Sequence, residues 1–189
     1  MARPREFDID MALDRAMGVF WVKGYEGTSL QDLLRAMKIA RGSLYKAFED
    51  KRAIYLAALD HYDRTEVGEG IAFLCDPKAG DGITKIRGMF EAVKNDTARR
   101  GCFMCNAALD RASLDADVEM KVSSMLHRLE DAIAVALKQS RRAARWSATR
   151  RAKTATSLLN AYIGLRVLAR SGYPASGLQS IIDSTLSRK

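Results

Sequence analysis

The chain has 189 residues and a formal net charge of +8, and 48% of its residues are hydrophobic. This length suffices for one core or two small ones, and the polar N-terminal segment lacks an apolar run of signal-peptide length. No stretch approaches the 18 apolar residues of a membrane helix, so we expect a cytoplasmic protein without membrane partners, whose three cysteines are reduced.

Helix-forming residues dominate the composition. Ala, Leu, Met, Arg and Lys are abundant and only three prolines occur, which favours an all-α fold. The first helix is predicted to begin at a cap, Asp8 or Asp10, and to end near Lys23, before a left-handed C-cap at Gly24. Its apolar stripe has helical spacing: Ile9, Leu13, Ala16, Met17, Phe20 and Trp21.

Two short helices and a turn are predicted next, over about 29–48. Thr28 and Ser29 are cap residues, and the apolar residues that follow them have helical spacing: Leu30, Leu33, Leu34 and Met37. The pattern breaks at 38–40 and then resumes, with Leu44 and Phe48 on one inward face. Such a pair indicates a helix-turn-helix that reads the DNA major groove, or else a plain helical hairpin in a core.

The residues left on the other faces of the second short helix suit DNA. Small residues at Gly42 and Ser43 permit close approach, Arg41 and Lys46 supply charge, and the Tyr45 hydroxyl can reach a phosphate oxygen. These properties favour the DNA-binding interpretation.

The longer string resembles the DNA-binding domain of the TetR family of bacterial transcriptional regulators. The matching elements are Phe20, Gly24-Tyr25, Thr28-Ser29 and Gly42-Ser43-Leu44-Tyr45-Lys46-Ala47-Phe48-Glu49-Asp50-Lys51. The resemblance implies operator DNA as the partner. It assigns the contacts to Thr28, Ser29, Arg41, Gly42, Ser43, Tyr45, Lys46 and Lys51. One departure is Lys38, which stands at a turn position where the family usually carries Gly.

Asp50 is predicted to cap a further helix that runs to about Val67, followed by a loop over 75–82. Five more helices are predicted over 83–99, 102–112, 116–140, 148–170 and 174–186. We therefore expect about nine helices in two domains: a helix-turn-helix domain over 6–66 and an effector-binding and dimerisation bundle over 67–189.

The penultimate helix carries apolar residues on more than one face, so it is either a central buried helix or part of an interface. In the TetR family the last two helices pair with their copies in a twofold dimer, which also matches a palindromic operator. The resemblance thus implies a homodimer, with these interface candidates: Leu158, Leu159, Tyr162, Ile163 and Ile182.

One reactive cluster stands out, at Cys102, Cys105 and Asn106. Cys102 is predicted to lie at a helix N-terminus beside Arg99 and Arg100, where the positive charge favours the thiolate and makes it the most reactive cysteine. The segment resembles TetR regulators that sense electrophiles or small carbonyl compounds. The alternatives are two cysteines that serve as small buried hydrophobes, or a helical thiol-redox protein.

The basic charge is unevenly placed. Residues 1–52 contain ten basic and eight acidic residues, a net charge of +2, whereas the stretch from Lys138 to Lys153 carries +7 without an acidic residue. This stretch is either a solvated loop between helices or a second nucleic-acid site.

The sequence therefore predicts a dimeric DNA-binding transcriptional regulator, a repressor released from its operator by a small molecule or electrophile. The alternatives are the thiol-redox protein and a non-specific nucleic-acid binder. We find no phosphate loop, catalytic triad or metal-ligand pattern, so we expect no enzyme, cofactor or metal.

Overall fold

The computed structural model of the chain describes residues 7–96 and 100–187, so Arg99 and residue 6 lie outside the described residues. Every regular element in the described part is helical, which confirms the predicted all-α class. The α-helices are α1 (Ile9–Lys23), α2 (Leu30–Met37), α3 (Arg41–Ala47), α4 (Lys51–Tyr62), α5 (Gly68–Cys75), α6 (Gly82–Asn95), α7 (Phe103–Asp110), α8 (Ala116–Lys138), α9 (Ala148–Arg170) and α10 (Ala175–Ser187).

Two short segments of other helical types complete the elements. A π-helical segment, Asp63–Val67, joins α4 to α5, and a 3₁₀ turn, Ala112–Leu114, lies between α7 and α8. If α4, the π-helical segment and α5 are counted as one continuous helix, the ten described α-helices become nine. The helix predicted to stop near Val67 thus continues to Cys75, which the sequence had placed in a loop.

The described residues form two compact units. The first contains the residues up to Thr65 together with Phe103–Val122, and the second contains the described residues of Glu66–Cys102 and those from Ser123 onward. The first unit therefore includes a segment from well beyond the predicted helix-turn-helix domain.

Aromatic packing holds the first unit together. The apolar stripe of α1 is buried except at the half-buried Ile9, and the centre of its Phe20 ring lies 4.9 Å from that of Tyr55 on α4. Phe103, the first residue of α7, is 1% exposed and packs edge-on against Tyr55 and Tyr62 and at a tilt against Trp21. Burial of such rings is the largest apolar contribution that single side chains make, so α7 is a core element of this unit.

The second unit has its own core, in which α10 packs against α6 and α9. Gly82 permits a close approach of α6 and α8, since an added Cβ would lie 1.6 Å from the carbonyl oxygen of Ala136. Lys85 is 1% exposed, and its ammonium donates to the carbonyls of Leu74 (2.7 Å) and Asp76 (2.8 Å) and to the Gln139 side chain. A buried lysine thus satisfies carbonyl groups at the C-terminal end of α5.

Candidate nucleic-acid interface

The first helix of the predicted motif begins at a reciprocal cap. The Ser29 hydroxyl accepts the amide N–H of Asp32 (3.1 Å), and the Asp32 carboxylate accepts the amide N–H of Ser29 (3.0 Å). Lys23 also pairs with Asp32 at 2.8 Å, and these contacts, the bond to Lys23 foremost, lower the pKa of Asp32 well below its usual range. This capping box fixes where α2 starts.

The turn between α2 and α3 depends on one residue in left-handed conformation. Lys38 has φ 57° and ψ 41° and is the only non-glycine residue with positive φ in residues 7–96 and 100–187. Glycine adopts this conformation without strain, whereas other residues pay a cost on the order of 1 kcal/mol. The turn forms nonetheless, and it places α3 beside α2, so that residues of both helices line one cavity.

The inward face of α3 is apolar and its outward face is polar and small. Leu44 is 1% exposed and Phe48, just after the helix, is 8% exposed. Arg41, Gly42, Tyr45 and Lys46 are exposed, and Ser43 is half-buried. The Arg41 guanidinium lies 5.7 Å from the centre of the Tyr45 ring, so the two side chains lie together on the surface.

Gly42 has no structural reason within the described residues to be glycine. A Cβ added there would meet nothing within 4 Å, and its φ is not positive. Glycine inside a helix costs roughly 0.5–1 kcal/mol relative to alanine. The missing side chain therefore leaves space on the outer surface of α3, where a partner can approach the backbone.

A cavity of about 130 Å³ lies between α2 and α3, next to these residues. Its lining consists of Leu30, Gln31, Leu34, Arg41, Leu44 and Tyr45. Gln31, which is not among the DNA contacts predicted from the sequence, is exposed and shares this lining with Arg41 and Tyr45. Its position in the first turn of α2, two residues after the N-cap Ser29, is the sequence signal that indicates a polar side chain at the start of this helix.

Thr28 has a different role from the one predicted. Its side chain is 2% exposed and its hydroxyl donates to the Gly24 carbonyl (2.6 Å), so it cannot offer an atom to DNA in this conformation. It is also not the cap, which is Ser29 alone. The prediction of a DNA contact for Thr28 is wrong, because the hydroxyl is used to close the turn before α2.

Lys51 also faces the protein. Its ammonium donates to the carbonyls of Tyr25 (3.1 Å) and Thr28 (3.2 Å) and lies 4.2 Å from the centre of the Tyr25 ring. The half-buried side chain therefore uses its charge to satisfy backbone oxygens. This geometry gives Lys51 a function in holding the turn, in addition to the phosphate contact that stays a prediction.

The two cysteines of the reactive cluster differ in their exposure. Cys102 directly precedes α7 and is 3% exposed, whereas Cys105 lies within α7 and is half-buried. Asn106 lies 3.5 Å from the Trp21 carbonyl oxygen. Reaction requires access as well as thiolate character, so burial corrects the predicted order in which Cys102 is the most reactive thiol.

Three of the five interface candidates are already buried within one chain. Leu158 (1% exposed), Tyr162 (7%) and Ile182 (0%) belong to the core of the second unit. Their burial in one bundle leaves little of these three side chains for a contact with a second copy, which speaks against them as interface residues. Leu159 and Ile163 are partly buried against the same core, and Val167, one turn beyond Ile163, is 49% exposed.

The basic stretch spans the end of α8, the loop over 139–147 and the start of α9. Arg141, Arg142 and Arg145 are exposed, and the Arg150 guanidinium lies 4.2 Å from the Trp146 ring.

Within the described part of the chain, no cluster of His, Cys, Asp or Glu could hold a metal ion. None of the described helices has the length and apolar character needed to cross a bilayer.

Sequence comparison places this motif among known regulators. A family profile described as "Bacterial regulatory proteins, tetR family" matches residues 12–58. An HTH-type transcriptional regulator of Bacillus subtilis (strain 168), YezE, is 34% identical over 137 residues, which are 70% of this chain and 69% of that protein. The HTH-type transcriptional repressor ComR of Escherichia coli (strain K12) is 39% identical over 110 residues, 55% of this chain and 51% of ComR.

Structure comparison extends the similarity to almost the whole chain. A cysteine mutant of the TetR family transcriptional regulator CifR, solved in complex with a 26-bp double-strand operator DNA, is 31% identical. The alignment has a TM-score of 0.79 and covers 98% of each chain.

Proposed function

Because the chain belongs to the TetR family of bacterial regulatory proteins, we propose that it is a sequence-specific DNA-binding transcriptional regulator that represses its target genes. The observation that carries this proposal is the outer surface of α3. Gly42, whose missing side chain leaves free space, lies there among exposed basic and aromatic side chains. An α-helix with such a surface fits the major groove.

The polar side chains of the motif then divide between base contacts and contacts to the DNA backbone. Arg41, in the first turn of α3, contacts a base edge, because a guanidinium can pair with guanine through two hydrogen bonds. Tyr45, Lys46 and Ser43 contact phosphate oxygens, which set the position of the helix in the groove. Ser29 and the newly found Gln31 lie at the start of α2, where polar side chains can reach the same DNA backbone.

Binding measurements on full-length variants test this assignment. We expect Arg41→Ala to change the base preference at particular positions of a site selected from a random-sequence library. Lys46→Ala should weaken binding to all sequences alike and flatten the salt dependence by about one unit. Arg142→Ala, in the exposed basic loop, removes the same charge as Lys46→Ala and should leave the selected site bound.

Two results would contradict the proposal. The first is an unchanged affinity for the selected site in the Arg41→Ala, Tyr45→Ala double variant. The second is equal affinity of the wild type for selected and random DNA, which would favour non-specific binding through the basic stretch instead.

An effector is expected to release the repressor by binding one of two conformations more tightly, and it can shift their populations only by that difference in affinity. For this chain we assign the sensing role to Cys105 on α7, since its thiol is half-buried while Cys102 is covered.

Alkylation tests the thiol assignment directly. The Cys105 thiolate adds to one carbon of the N-ethylmaleimide double bond and the other carbon takes a proton from solvent. The added bulk on α7 should release DNA from the wild type. Cys105→Ser should keep binding after the same treatment, while Cys75→Ser, which removes a half-buried thiol on α5, should behave like the wild type. Equal loss in the wild type and Cys105→Ser would show that Cys105 is not the sensor.

The proposed regulator binds DNA as a homodimer, which matches the twofold symmetry of a palindromic operator. Leu159, Ile163 and Val167 occupy successive turns of α9, and they combine partial burial with an exposed outer edge. We place the dimer contact along this face of α9, together with the exposed face of α10.

A further inference from the structure

The turn that leads into α2 is held by residues from the end of α7, more than eighty positions later in the chain. We propose that Asp110 and Arg111 are positioning residues for DNA binding, which act by fixing the turn Gly24–Ser29 and hence the start of α2. This inference rests on the proposed function, and it adds two residues that lie outside the helix-turn-helix motif.

Asp110 holds the backbone of the turn. Its carboxylate accepts the amide N–H of Tyr25 at 2.7 Å, a charge-assisted hydrogen bond. Gly24 has φ 72°, and an added Cβ would lie 3.1 Å from the same carboxylate oxygen. The turn therefore approaches the end of α7 as closely as a residue without a side chain allows.

Arg111 holds the side chain of the turn. The Tyr25 ring is 8% exposed and has two cations near it, with the Arg111 guanidinium 4.5 Å and the Lys51 ammonium 4.2 Å from its centre. Arg111 also pairs with Glu26, the next residue of the turn, at 3.3 Å. A desolvated cation near an aromatic face is attracted to the ring, so the contacts of Asp110 and Arg111 together fix both the backbone and the ring of the turn.

The end of α7 is itself firmly placed in the first unit. Phe103 is buried among the aromatic side chains of α1 and α4 at the start of α7. Beyond its end, Arg52 of α4 donates to Asp115 at 2.7 and 2.8 Å and to Asp117 at 2.6 Å. Asp110 and Arg111 lie between these two anchors, and a displacement of α7 would therefore move the turn.

The turn in turn determines the geometry of α2. Lys51 binds the carbonyls of Tyr25 and Thr28 at its two ends, and Ser29 directly after it is the N-cap of α2. Because Ser29 lies only four residues after Tyr25, a shift of the Tyr25 amide would also displace the N-cap of α2. Because DNA contacts require atoms at hydrogen-bond distance, such a shift would weaken binding without the loss of a direct contact.

The experiment compares operator affinity over a series of salt concentrations for full-length Asp110→Ala and Arg111→Gln. We expect each variant to bind about tenfold more weakly, as fits the loss of a charged hydrogen bond or cation–ring contact. The slope of log affinity against log salt should stay that of the wild type, because no phosphate contact is removed. Arg111→Lys and Tyr25→Phe keep the cation and the ring, and they should bind like the wild type.

Two further measurements separate positioning from folding. Hydrogen exchange should become faster at the Gly24–Ser29 turn in Asp110→Ala and stay unchanged in α9. Arg87→Gln, which removes the same charge from a half-buried arginine of α6 that pairs with Asp183, should alter neither affinity nor exchange at the turn.

Each remaining outcome refutes a defined statement. A salt slope lowered by about one in Arg111→Gln would identify a direct phosphate contact and overturn the positioning role. Wild-type affinity in both variants below their melting temperatures would show that the contacts serve stability only. A wild type that binds no selected site would refute the proposed function and this inference with it, whereas a binding wild type with unaffected variants refutes this inference alone.

Discussion

Two residues of the motif, Lys38 and Gly42, each adopt a backbone conformation that another residue would adopt at a lower free-energy cost. Lys38 adopts a left-handed conformation that glycine would adopt without strain. Gly42 occupies a helical position that alanine would fill without a clash. The strain at Lys38 concerns the turn alone, whereas the glycine at 42 fits the proposed close approach of DNA to the outer surface of α3.

Gly42→Ala should separate stability from DNA binding. We expect the free energy of unfolding to rise by about 0.5–1 kcal/mol, because alanine loses less conformational entropy in a helix. Operator affinity should fall by about tenfold if the added methyl group prevents close approach, a change of about 1.4 kcal/mol. Chemical denaturation and fluorescence anisotropy measure the two quantities.

Gly18→Ala on α1 is the matched control, since a Cβ there also meets nothing within 4 Å. It should give a similar gain in stability and leave DNA binding unchanged. Tight binding by Gly42→Ala would show that the surface of α3 does not need a glycine.

At the scale of elements, a buried carboxylate links the 3₁₀ turn and α8 to α4. The Asp115 side chain is 4% exposed, binds the Arg52 guanidinium through both oxygens, and caps α8 at the amides of Asp117 and Val118. The hydrogen bonds from Arg52 hold the pKa of Asp115 at about 2, compared with an ordinary value of 3.8. The ionised form is thus the one that stabilises the fold.

A lowered pKa gives stability that is present above the ordinary value and is lost as the pH falls through the folded value. Asp115→Asn should therefore reduce the free energy of unfolding at neutral pH by about 1–2 kcal/mol, through loss of the charged pair and part of the cap. The difference from the wild type should shrink as the pH falls from about 4 towards about 2. Urea denaturation over that pH range measures it.

The control is the same substitution in an Arg52→Gln background, where the pH dependence of the difference should largely disappear. A difference that stays constant from neutral pH to pH 2 would show that the pair with Arg52 does not stabilise the fold.

At the scale of the whole molecule, the proposed dimer contact lies on the part of α9 that its own bundle leaves exposed. Val167 is 49% exposed on this face, while Leu158 and Leu165 point into the core. A dimer would cover the exposed apolar edge, and it would set the spacing of two copies of α3 on a palindromic site.

Val167→Glu should convert the dimer to a monomer at micromolar concentration, because an unpaired charge in an apolar interface costs several kcal/mol. Sedimentation velocity measures the oligomeric state. Val135→Glu places the same charge on α8 at a residue that is 38% exposed, and it should leave the dimer intact. A dimeric Val167→Glu variant, or a monomeric wild type, would contradict the proposed contact.

The sequence by itself determined the class of fold, the helix starts at Asp50 and Ser147, and the outward side chains of α3. It narrowed two further starts to Asp8 or Asp10 and to Thr28 or Ser29, of which the structure has Asp8 and Ser29. These features are local, since a cap and an apolar stripe are read within a few residues of one another.

Only the tertiary structure decided which partners the distant residues find. It turned Lys51 and Thr28 inward and buried Cys102. It also directed Leu158, Tyr162 and Ile182 into their own core, and brought Asp110 to the amide of Tyr25. The physical reason is that α9 is apolar on more than one face, so its pattern does not select the buried side. Contacts between residues 25 and 110 likewise depend on the packing of several helices, and no spacing within one helix encodes them.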